Sequence, residues 1–82
     1  MYNKATEEMK KITEIVVDNV DTEFSIEKES DDGGVHYVIY LPKDTCTKMV
    51  RSVLDSEKLS KPYLIMLASR EYILEMLHWR DI

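Results

Sequence analysis

The chain of 82 residues has one cysteine, two glycines, two prolines, one tryptophan and one phenylalanine. Each scarcity excludes something. The lone thiol, Cys46, allows neither an internal disulfide nor a thiolate zinc cage, and a free thiol suits a reducing compartment, so a cytoplasmic location is expected. No apolar run approaches the roughly 18 to 20 residues that cross a bilayer. Glu7, Glu8, Lys10 and Lys11 stand where a secretory signal needs an apolar stretch. The only glycines are adjacent, Gly33-Gly34, which leaves no Gly-rich strand-to-helix cradle for phosphate and argues against nucleotide chemistry. With no repeat, linker or low-complexity tract, one small domain spanning 1–82 is expected, because two would each lack enough core.

What the chain does have is charge, unevenly placed. The net charge is −5, and between Asp18 and Asp32 seven acids face a single base, Lys28. Such a segment repels phosphate and attracts basic partners over a range set by salt. It also reads as a solvated edge protected against edge-to-edge pairing. The basic residues Lys43, Lys48, Arg51, Lys58 and Lys61 are diluted by Asp44, Asp55 and Glu57. Nucleic-acid binding through them would be weak and salt-sensitive.

Four elements follow from periodicity. Ala5, Met9, Ile12 and Val16 form one helical stripe with Asn3 as a candidate cap and Glu7–Lys11 as an i,i+4 pair. The end of that helix is ambiguous, because Ile15, Val16 and Val17 are β-branched. Asp32-Gly33 signals a two-residue type I′ hairpin turn. Setting Asp31 opposite Gly34 places Phe24 against Leu41, Ile26 against Ile39 and Lys28 against Tyr37. The other face then carries Glu23, Ser25, Glu27 and Glu29 opposite Pro42, Tyr40, Val38 and His36. After Pro42, Asp44 can cap a helix whose stripe is Cys46, Met49, Val50, Val53 and Leu54.

A final helix is predicted from Pro62 to about Trp79, with Ser60 as its cap. Its apolar residues cover nearly the whole circumference, which a domain this small cannot enclose, so it is expected to meet another copy or another protein. The competing assignment makes Tyr63–Leu67 a third strand and starts the helix at Ser69; the strong helix formers Leu, Met and Ala favour the continuous helix. The expected fold is α+β, in the order helix, two-stranded antiparallel hairpin, helix, helix (α-β-β-α-α), with the helices on the Phe24, Ile26, Tyr37, Ile39, Leu41 face.

Chemistry-bearing constellations are sparse. Glu71, Glu75 and His78 share one stripe of the last helix, but one Glu-x-x-His is insufficient for a dinuclear site. Cys46 has Lys43 and Lys48 nearby, yet it begins an apolar stripe and no base is placed beside it. Neither metal, cofactor nor enzymatic activity is expected. The sequence therefore suits a small acidic protein-binding regulator or inhibitor, of the viral accessory kind, self-associating through its last helix. Its candidate contact residues are Leu64, Leu67, Tyr72, Met76 and Trp79 on that helix, and Glu23, Glu27, Glu29, Asp31 and Asp32 on the hairpin. The alternative is a nucleic-acid mimic, with the acidic hairpin occupying a basic cleft.

Overall fold

A computed structural model describes the backbone of residues 4–80 and the side chains of 7–78. The candidate cap Asn3 and the side chains of Ala5 and Trp79 lie outside the described residues. The elements run α1 (Lys4–Asn19), β1 (Ser25–Asp31), β2 (Gly34–Pro42), α2 (Lys48–Ser56), β3 (Tyr63–Ala68) and α3 (Arg70–Arg80). They fall into two compact units, residues 1–21 with 46–60, and residues 22–45 with 61–82.

The first unit is the helix pair. Ile12, Ile15 and Val16 of α1 and Val50 and Leu54 of α2 are buried, and α1 packs on α2. The β-branched run that blurs the end of α1 in sequence lies within the helix. There the Asn19 side-chain amide donates back to the Ile15 carbonyl at 2.7 Å, one turn earlier. The α2 stripe is shorter than its periodicity suggests. Cys46 precedes the helix and is exposed, and Met49 is exposed. Asp44 does not cap it: the N-cap is Thr47, which makes no side-chain capping bond.

The second unit is a three-stranded mixed sheet, ordered β1-β2-β3, with α3. β1 and β2 pair antiparallel in the register read from the sequence, Ile26 to Ile39, Lys28 to Tyr37 and Asp31 to Gly34. The turn differs from the expected type. Type I′ needs positive φ at both central residues, but the positive φ sits at Gly34, at 110°, and no other described residue has one. Asp31 sets the turn by accepting the Gly33 amide at 2.8 Å, the Asx geometry open to a short carboxylate.

Tyr63–Ala68 is a strand, which corrects the continuous terminal helix. It pairs parallel with β2, Tyr37 to Tyr63, Ile39 to Ile65 and Leu41 to Leu67. The helix begins only after Ser69, whose hydroxyl accepts the Tyr72 amide at 3.2 Å as a cap. The helix preference of Leu, Met and Ala amounts to a few tenths of a kcal/mol per residue. Cross-strand pairs contribute roughly 0.2–1 kcal/mol each, so a partner strand decides the outcome.

β2 is central and buried on both faces: Tyr37, Val38, Ile39 and Leu41 are all within the core. Ile26, Tyr37, Ile39 and Leu41 make one apolar face. α3 lies on the other, where Tyr72 meets Tyr40 edge to face with ring centres 6.0 Å apart. The expectation that the helices pack on the Tyr37, Ile39, Leu41 face therefore fails for α3. Ile73 is the buried anchor of α3, with Met76 and Leu77 half-buried one turn on.

Candidate protein-contact surface

The candidate contact residues divide when the terminal helix becomes a strand and a shorter helix. Leu64 and Leu67 belong to β3, whereas Tyr72, Met76 and Trp79 belong to α3. Leu64 (48%), Met66 (45%), Leu67 (48%) and Tyr72 (49%) are each about half exposed, Leu74 likewise, and Met76 is half-buried. The apolar surface is thus real but has another origin: a strand at the edge of a sheet, flanked by a helix face. Met66 was not among the predicted contact residues. The alternating exposure of Tyr63 to Met66 has the period of a strand, and the Pro62 and Ser69 that bracket the segment could have signalled its ends.

Strand pairing settles which groups point outward. The Tyr37 amide donates to the Pro62 carbonyl at 2.9 Å, so Pro62, Leu64, Met66 and Ala68 direct their backbone groups towards β2. Ile65 and Leu67 therefore direct their N–H and C=O groups to the outer edge. Among the described residues no strand lies beyond them. Proline's missing donor falls on the inner side and does not interrupt that edge.

The acidic hairpin is more engaged internally than its sequence suggests. Arg70, at the start of α3, donates to Glu23 at 2.8 Å and to Thr22 at 2.9 Å, and approaches Asp44 at 3.4 Å. The Glu23 carboxyl is held below its usual range, first by its backbone hydrogen bond, then by the Thr22 hydroxyl, with Arg70 adding to both. Glu29 accepts the Tyr40 hydroxyl at 3.1 Å. Burial, and then that bond to a carboxylate, pushes the Tyr40 phenol up to about 12. Glu27 is half-buried opposite Val38. Asp31 closes the turn and stands 3.8 Å from the His36 imidazole, so His36 meets Asp31 although Glu29 faces it in register. Asp32 is exposed at the tip.

Other features have local partners. Glu8, buried in the helix pair, accepts both the Ser60 amide and hydroxyl at 2.6 Å, and Lys11 meets Glu57 at 3.2 Å. An open depression of about 300 Å³ lies beside the hairpin turn, lined by Asp31, Val35, His36, Pro62, Tyr63 and Leu64 among others. Glu71, Glu75 and His78 are exposed on α3. No three histidine, cysteine, aspartate or glutamate side chains converge among the described residues. No described helix is long and apolar enough to cross a membrane. Comparison with known proteins found no matching family model, no matching curated protein and no matching solved structure.

Proposed function

We propose that this chain is a small protein-binding regulator or inhibitor, and that its contact surface is the apolar strip formed by β3 and the neighbouring face of α3. One observation carries the reading: Leu64 and Met66 on the α3 side and Leu67 on the other side are half exposed on an edge strand that contains no charge, proline or glycine. Natural edge strands are ordinarily blunted by such residues, so an unprotected one marks a surface that something covers. The acidic hairpin is a weaker basis for binding, since Glu23, Glu29 and Asp31 already hold internal partners.

The test is capture of a partner from native lysate by the wild-type chain and by two variants, read at low and high salt. Leu64→Lys is expected to abolish capture, and wild-type capture is expected to survive high salt, because apolar docking is not screened. Capture that collapses in salt, or that is lost on Asp32→Asn while Leu64→Lys retains it, would transfer the function to the acidic ribbon and to mimicry of nucleic acid.

A further inference from the structure

We infer that the edge of β3 pairs with the β3 edge of a second copy of this chain, antiparallel, around a two-fold axis at Met66. The inference rests on the contact surface proposed above and names the occupant of its strand portion.

Backbone geometry supplies the first argument. A two-fold axis perpendicular to a sheet brings together residues that point to the same face, so positions of equal parity must oppose each other. With Met66 on the axis, Ile65 faces the second copy's Leu67 and Leu67 faces its Ile65. These two residues have their N–H and C=O groups on the outer edge. Neither has a backbone bond outside the β2–β3 pairing among the described residues. Four hydrogen bonds result, without displacing any bond of the existing sheet. The two Met66 side chains then meet at the axis on the face carrying Tyr40, with Leu64 against the second copy's Ala68.

Electrostatics chooses a second copy and chooses this edge. A chain of net charge −5 ordinarily repels itself. The acids concentrate in and around β1, however, and the order β1-β2-β3 puts that strand at the far edge. Joining the sheets through β3 leaves five strand spacings, about 24 Å, between the two β1 strands. That is well beyond the roughly 8 Å screening length at physiological salt. Tyr63–Ala68 brings no charge to the junction. Lys61 precedes the strand and Arg70 and Glu71 follow it, so antiparallel pairing sets each lysine at an end where the other copy carries one charge of each sign, its Arg70 already paired with Glu23. Pairing through β1 would instead oppose two acidic strands.

Sedimentation equilibrium of the purified chain at tens of micromolar tests the inference. The wild type is expected to give twice the 9.6 kDa mass of one chain. Met66→Lys is expected to weaken association at least tenfold with an unchanged circular dichroism spectrum, while Leu74→Lys on the exposed side of α3 leaves the dimer intact. In a Cys46→Ser background, Met66→Cys is expected to form a disulfide across the axis on mild oxidation, because directly opposed residues of this kind lie about 4.5 Å apart at Cα. A wild-type monomer, or a dimer indifferent to Met66→Lys, overturns self-pairing. A monomer that still captures a salt-resistant partner through Leu64 would leave the docking surface standing, whereas a dimer that captures nothing would remove the regulatory reading and keep the strand pairing.

Discussion

Ser25 and Tyr40 face each other across the hairpin and show how unequal two neighbouring hydroxyls can be. The Tyr40 hydroxyl donates to Glu29, whereas the Ser25 hydroxyl is buried and without a partner among the described groups. An unsatisfied buried hydroxyl costs roughly 1–3 kcal/mol, which deletion recovers. Ser25→Ala is therefore expected to be neutral or to stabilise by about 1 kcal/mol in chemical denaturation; a loss of stability would show that the hydroxyl is bonded after all. Tyr40 offers a pH signature. Its folded-state pKa, about 12, lies above the ordinary value of 10.0. The neutral phenol is thus favoured by folding, and the associated stability is intact below pH 10 and lost as pH rises towards 12. Ultraviolet titration should show tyrosine ionisation near 12, and Tyr40→Phe should reduce its amplitude by one phenol.

At the scale of the element, the hairpin was legible because period-two alternation and the Asp32-Gly33 signal agree on one register. The third strand was not. Its six apolar residues in a row suit either a buried helix segment or a strand, and the deciding partner, β2, lies 26 positions earlier, as in Tyr37 to Tyr63. One clue was present: Val-His-Tyr-Val-Ile-Tyr-Leu is nearly continuously apolar, the pattern of a strand with neighbours on both edges. A strand of that pattern requires a second neighbour, hence an additional strand. Proline substitutions distinguish the two assignments. The Met66 amide bonds to β2 and the Ile65 amide faces outward, so in a chain too dilute to associate Met66→Pro is expected to cost clearly more than Ile65→Pro, measured by thermal unfolding. Equal costs at both positions would fit a helix interior and sink the strand.

Over the whole molecule, exposed apolar surface in the last third was legible in composition, but its geometry was not. Leu64, Leu67 and Tyr72 are exposed as expected, but the excess of apolar girth arose from laying a strand and an 11-residue helix on one helical wheel. A wheel drawn at the wrong period scatters a strand's two faces around its rim. The acidic segment was located correctly on β1 and its turn. Its engagement by Arg70 was invisible in sequence, since Glu23 and Arg70 are 47 positions apart. Exposed ion pairs of this sort are largely screened by solvent and add little stability, so Arg70 serves more to orient the start of α3 than to hold the sheet.

The parallel pairing of β2 with β3 also dictates an order of events at birth. The hairpin closes from neighbouring residues and can form in microseconds, whereas β3 must wait until the intervening α2 segment has been made and the long loop has closed. Until then the amides of Tyr37, Ile39 and Leu41 lie bare along a finished ribbon, on the side later occupied by β3. A nascent chain emerging from the ribosome thus carries, for a time, a sticky seam that its own last third is destined to zip shut.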